Sequence, residues 1–357
     1  MDLTDLSALP LEVLVHMALQ MDIPEVLAFC GLSKRINRKV CRRRHFWKLL
    51  LAKDNLDIPA ELIYKNGKFN WLLYFLFKYP KKDWRWYDVS MNPNITWDII
   101  QTYPYLPWNW SGISSNPNIT WEIIQAHPKE NWEWYGISEN TNITWEIVLN
   151  NLDKPWDWHS LSSKPGIDWE FVQANLDKGW SWYWLSRNPS ITLEIIRNNL
   201  DKPWQWESMS ANPNLTWEFV QAYPYKPWSW VDLSSHPNIT WEIIYKNSDK
   251  SWRWDWLSLN PNITPEIVLT NIDKPWNWSF LSSNPNFTWD IIQAYPDKPW
   301  NWYQISRNPN ITWEIVQATL NLPWDWEGLS MNPNITWETV YNNLDKNWNW
   351  SSLSSKR

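Results

Sequence analysis

The chain has 357 residues, a formal net charge of −6, and 37 tryptophans against only 7 glycines. This mild acidity argues against nucleic acid as the main partner, and no stretch approaches the roughly 18 uninterrupted apolar residues of a membrane span. Two cysteines, Cys30 and Cys41, are too few for a disulfide framework in a chain of this size. The acidic opening MDLTDLS lacks the basic start of a secretory signal. Together these predict a soluble cytoplasmic protein, with the nucleus as a second compartment.

Residues 1–50 form a first unit, poor in tryptophan. Leu9-Pro10 opens a helical run with Val13, Leu14 and Met17 on its apolar face. Ile23-Pro24 opens a second helix through Val26, Leu27 and Phe29. A third is predicted through Ile36 and Val40 toward Phe46, Trp47 and Leu50. Three short helices make a marginal domain that calls for a partner. In order, the stretch carries Leu9-Pro10 with Glu12-Val13-Leu14, Asp22-Ile23-Pro24, Leu32-Ser33-Lys34-Arg35-Ile36-Asn37 and Phe46-Trp47. It resembles an F-box over residues 8–50, with Leu32 where the family usually has valine. The resemblance implies docking onto the Skp-type adaptor of a cullin ubiquitin ligase. Leu9, Pro10, Leu14 and Trp47 would belong to that contact or its support. Seven basic residues fall between Lys34 and Arg44. A nuclear signal or phosphate contact is one reading; a solvated helix face is the simpler one.

Residues 51–83 link the two parts. Phe69 to Phe77 reads as a degenerate repeat helix that caps the N-terminal end of the repeats.

From residue 84 to 357 a Trp-x-Trp pair recurs every 24 residues, twelve times, from Trp84 to Trp348. A third tryptophan stands at Trp97 and its equivalents, replaced only by Leu193 and Pro265. These three series hold 33 of the 37 tryptophans. Such a period marks a solenoid whose units bury their apolar faces on one another.

A typical unit reads DKPWNWSFLSSNPNFTWDIIQAYP. Thr288 suits a helix N-cap, with Trp289 and Asp290 in the first turn. Phe287 and Ile292 stand at the positions of a hydrophobic staple. Pro265 falls on the first helical position, where proline is best tolerated. The first half, PWNWSFLS, predicts one or two turns of α- or 3₁₀-helix, and Asn-Pro-Asn predicts a turn.

Stretches such as NPNITPEIV (260–268) and NPNITWDII (92–100) resemble the leucine-rich repeat variant family. That resemblance covers residues 84–354 and implies alternating α- and 3₁₀-helices in a right-handed superhelix, although the tryptophans are not a family feature. The expected fold is therefore all-α: a three-helix F-box-like module, then an α/3₁₀ solenoid. Stacked units about 8–10 Å apart predict an array on the order of 100 Å long, with a fraying, uncapped C-terminus.

Nothing in the sequence supports catalysis. The five histidines are scattered, and there is no glycine-rich phosphate loop, metal-ligand spacing or nucleophile motif. No cofactor or metal is expected. The invariant tryptophans read as core. Recognition falls instead to the variable aromatics just after Trp-x-Trp: Tyr87, Tyr135, Tyr183, Trp184, Trp256 and Tyr303. The recurring Asn-x-Thr arises from the turn and the cap rather than from glycosylation. The expectation is a monomeric substrate receptor of a cullin-type ligase, its repeats holding a target protein. The alternative is a ligase-independent binding scaffold. Near-identical repeats behind an F-box are similar to families expanded in large DNA viruses of amoebae, which would place the chain in an infected cell.

Overall fold

The computed structural model describes residue 6 and residues 9–356. Among the described residues the fold is all-α apart from one two-stranded hairpin. The head contains α1 (Leu11–Gln20), α2 (Ile23–Gly31), α3 (Lys34–Ile36), a π-turn (Asn37–Cys41) and α4 (Arg44–Ala52). A capping box between Asp22 and Glu25 fixes the start of α2. The expected third helix is broken in two at Arg42–Arg43. Trp47 explains the break: its Nε1–H donates to the Cys41 carbonyl at 2.6 Å, tying the end of the π-turn to α4. Cys30 and Cys41 are joined as a disulfide, so the two cysteines make one local crosslink between α2 and the π-turn rather than standing free.

Next come α5 (Ala60–Ile63), the hairpin β1 (Tyr64–Lys65) and β2 (Lys68–Phe69), paired Tyr64 to Phe69, and α6 (Trp71–Lys78). The repeats begin with α7 (Trp86–Met91) and α8 (Trp97–Thr102) and run through α28 (Trp337–Asn342) to α29 (Trp350–Leu353). Both halves of each unit are short α-helices; among the described residues no 3₁₀ segment occurs, which corrects the α/3₁₀ expectation.

The second-half helices start where the sequence predicts. Thr144, Thr192, Thr216, Thr240, Thr264 and Thr336 each accept a hydrogen bond from the backbone three residues on. Pro265 occupies the first helical position.

Each tryptophan of the motif has a separate task. The first stands before the first-half helix, and its Nε1–H caps the carbonyl five residues earlier, at the end of the preceding helix (Trp276 to Asn271, 2.8 Å). The second meets the first tryptophan of the next unit edge to face, as in Trp254–Trp276 at 4.9 Å and 84°. Such pairs contribute about 0.5–1.5 kcal/mol beyond the area they bury. The third lies tilted against the first tryptophan two units on, as in Trp217–Trp252 at 5.6 Å.

Polar rungs run beside the indoles. The serine at the end of each first-half helix accepts from a backbone N–H in the next unit, as Ser90 Oγ does from Asn109 at 2.9 Å. The buried asparagine beyond it donates to carbonyls of the previous unit. Asn116 Nδ2 reaches Ser90, Asn92 and Ile95 at 2.7–3.0 Å. His236 takes over this rung through Nε2 to Asn212 O at 3.0 Å. Its burial, opposed by that bond, lowers its pKa.

The same bonds join the last unit to the first. Arg85 N–H donates to Ser354 Oγ at 3.0 Å. Asn92 Nδ2 donates to Ser354 O at 3.1 Å and to Lys356 O at 2.9 Å. Trp350 meets Trp84 edge to face at 5.2 Å. The solenoid is thus a closed ring of twelve units, not an open array about 100 Å long, and its C-terminal turns are docked rather than frayed. Helix α6 is not a terminal cap. It supplies the outer helix of the twelfth unit, with Phe75 stacked on Trp337 at 5.0 Å and Trp71 against Tyr341 at 5.4 Å.

Curvature arises from side-chain size. First-half helices touch backbone to backbone: a Cβ at Gly112 would lie 2.5 Å from the Tyr87 carbonyl. Second-half helices are held apart by indoles. The first-half layer is therefore the inner one.

Candidate functional site

On α7 the residues Val89 and Ser90 are buried between the layers, whereas Tyr87 is exposed and Asp88 and Met91 are half-buried. These three positions, repeated on each inner helix, face the axis of the ring. All six aromatics singled out from the sequence fall on them. Tyr87, Tyr135, Tyr183 and Tyr303 share one position, and Trp184 and Trp256 share the next. Tyr87, Tyr135, Tyr183 and Trp184 are exposed, while Trp256 and Tyr303 are half-buried.

The aromatics gather in two groups. In one, Trp184 Nε1–H donates to His159 Nε2 at 3.2 Å, and Tyr183 packs edge to face on Trp184. The Arg187 guanidinium lies 5.2 Å over the Tyr183 ring and 3.6 Å from Asp232. Tyr135 belongs to the same side. Its hydroxyl is pushed up to about 12, first by its hydrogen bond to Glu139. In the other group Trp256 packs on Phe280 at 5.7 Å, Arg307 lies 5.5 Å over Tyr303, and the Tyr303 hydroxyl contacts Met331 Sδ at 3.6 Å. Guanidinium over aromatic gives each group a flat amphipathic face suited to protein side chains. His159, Arg187, Phe280, Arg307 and Met331 were missed in the sequence. Their signal was position: His159 shares the tyrosine position, Phe280 that of Trp184 and Trp256, and Arg187, Arg307 and Met331 lie four residues after the tyrosines or stand where such a residue would.

The four head residues are not one surface. Leu14 and Trp47 are fully buried, Leu9 is half-buried and Pro10 exposed. Leu14 and Trp47 can shape an adaptor surface but cannot touch a partner. The accessible apolar groups beside Pro10 are Leu9 and the exposed Val13. Trp47 also stacks on Tyr64 at 4.7 Å and lies tilted against Phe69 at 5.3 Å, and Phe69 packs on Trp71 and Tyr74 of α6. Tyr74 donates to Asp54 at 2.6 Å, and Lys78 pairs with the same carboxylate. The head core therefore continues into the helix that closes the ring. Of the seven basic residues only Lys39 is half-buried; the other six are exposed, as a solvated face requires.

Among the described residues no cluster of histidine, cysteine or carboxylate side chains could hold a metal ion. No helix is long and apolar enough to cross a membrane. Comparison with known protein families, curated proteins and solved structures finds no match.

Proposed function

We propose that the protein is a non-enzymatic recruiting adaptor: the axis-facing aromatic row holds a target protein, and the F-box-like head docks onto the Skp-type adaptor of a cullin ubiquitin ligase. The observation that carries this reading is the presence of two accessible surfaces on one continuous core. One is the Leu9–Val13 edge of the head; the other is the row running from Tyr135 to Met331. Holding both on one body raises the effective concentration of a target near the ligase.

The test is capture of purified Skp-type adaptor by the full chain and by a Pro10→Ala/Val13→Asp variant. Both substitutions lie at exposed positions, so folding is retained. Capture by the parent alone supports the adaptor reading; capture by neither sinks it. The second reading is a ligase-independent scaffold, favoured by the stack from Trp47 through Tyr64 and Phe69 to α6, which gives the head a structural task of its own. Under that reading Pro10→Ala/Val13→Asp leaves target binding unchanged, and no ligase subunit is recovered.

A further inference from the structure

The regularity of the ring makes its two adjacent internal gaps conspicuous: Ser190 in unit five, which only accepts from Gly166 N–H at 2.7 Å, and, with more room around it, Gly166 in unit four. In eight units the second asparagine of the Asn-Pro-Asn turn, or its equivalent, bridges to the unit before it. Asn118 Nδ2, for example, donates to Pro93 O at 2.7 Å and Ile95 O at 2.9 Å. Asn214 and Asn286 do the same. In unit four the turn reads Lys164-Pro165-Gly166, and the bridging carboxamide is missing. Gly166 has φ +83° and nothing nearer than Trp145 Cδ1, 3.6 Å from where its Cβ would be. The carbonyls of Thr141 and Ile143, equivalents of those bridged elsewhere, accept no side-chain amide here.

The neighbouring substitutions widen the gap. Lys164 replaces the ladder asparagine, donating to Ser138 O at 3.2 Å and Asn140 O at 2.8 Å but not to Ile143 O. Thr141 stands where most units have proline. An open groove of about 580 Å³ lies beside it, lined by Ser138, Glu139, Thr141, Trp145, Ser163 and Lys164 among others; a matching groove of about 500 Å³ lies at the seam beside Trp337 and Lys356. The Trp145 Nε1–H is buried and has no hydrogen-bond partner, a state shared by Trp169 before the Ser190 gap and Trp337 at the seam. An orphaned buried donor costs about 1–3 kcal/mol, so an occupant with an acceptor is favoured.

We infer that this gap is a seat for a primary carboxamide, supplied by an asparagine or glutamine side chain of the bound target. An amide NH₂ meets the two carbonyls that seven other units satisfy in the same way, and its oxygen answers the free donors of Trp145 and Lys164. A carboxylate could answer the donors but would face the two carbonyls and Glu139 without a proton to offer. An ammonium could answer the carbonyls but would face Lys164. Glu139 lies four residues after Tyr135 on the same inner helix, so the seat adjoins the aromatic row. The inference rests on the protein-binding reading for its occupant, but not on the ligase.

The test is ligand-observed saturation-transfer NMR with N-acetylasparagine amide, acetate and methylammonium, using the full chain and two variants. Gly166→Asn restores the missing side chain at a φ asparagine tolerates. Trp145→Phe removes the donor and keeps a ring. The expected result is transfer to the amide alone in the parent, its reduction to the share of the seam groove beside Trp337 and Lys356 in Gly166→Asn, and roughly three- to tenfold weaker binding at this seat in Trp145→Phe, the worth of one hydrogen bond. Absence of transfer in the parent, an equal response to acetate or methylammonium, or undiminished transfer in Gly166→Asn overturns it. The adaptor-capture experiment is read independently, so failure of one is not failure of the other.

Discussion

Eleven joints of the ring connect units that are consecutive in the chain, and one connects the end to the beginning. At an inner joint the asparagine rung spans 21–26 residues; at the seam it spans 262 and 264. The serine and asparagine rungs and the edge-to-face tryptophans are kept, 5.5 Å apart in Trp86–Trp108 and 5.2 Å in Trp84–Trp350. What differs is the outer layer, where α6, like most outer helices opening on a tryptophan, buries Tyr74 and Phe75 among its leucines. Contact geometry is thus set by the unit, whereas closing a long loop carries an entropic cost only at the seam.

The comparison breaks most forcefully at Phe75. Phe75→Ala removes a fully buried ring from the closing helix and should cost about 3–5 kcal/mol, read by urea denaturation, with a larger radius of gyration in solution scattering. An unchanged radius together with unchanged stability would mean α6 does not hold the seam.

A smaller effect separates Asn92→Ala from Asn260→Ala. Each leaves buried carbonyls without a donor, a loss of about 1–3 kcal/mol. Only Asn92→Ala should also expand the particle, since Asn260 lies in a joint the chain already ties. Equal expansion in both would show that the ring opens anywhere with equal ease.

Lys164 sharpens the comparison through pH. Its amine falls from 10.5 to about 8, by burial first, with Glu139 opposing. Below pH 8 both folded and unfolded chains hold the proton, and the ring carries the whole penalty of a buried charge. Between about 8 and 10.5 the unfolded chain binds more proton, so stability rises with pH. Lys164→Asn should be more stable than the parent at pH 7, with the difference shrinking toward pH 10 in thermal melts. A pH-independent difference would remove the charge from the explanation. Lys356, also lowered to about 8 by burial, remains in both chains. The smallest change is Tyr183→Ala. It should move stability by no more than about 0.5 kcal/mol while weakening target capture; a large loss of stability would make Tyr183 a packing residue.

Much of this was legible in the sequence because it is local. The Thr caps, Pro265 at the first helical turn, the staple pair Phe287 and Ile292, and the buried first tryptophans all come from spacing within one unit. Closure was not legible. It depends on the angle between units, which arises from Gly112 and Ser90 on the inner layer against Trp97 on the outer, and no single unit discloses it. The 3₁₀ expectation failed for a related reason, because asparagine, aspartate or serine before many of the inner helices caps a full α-turn, as Asn277 does for Phe280. The axis-facing aromatic row was visible as variability beside invariance, but the gap at unit four needed the rungs to be known before Lys164 and Gly166 stood out.

Closure also turns repeat number into an integer condition. Twelve units complete one revolution, so each contributes about 30° of turn. An open solenoid can gain or lose a repeat by duplication or deletion and remain a solenoid. Here eleven or thirteen units of the same shape would leave α6 facing empty space or overlapping α29. The gene for such a protein can drift freely at axis-facing positions, yet its copy number is locked to the full circle, and any change of count must arrive together with a new wedge angle.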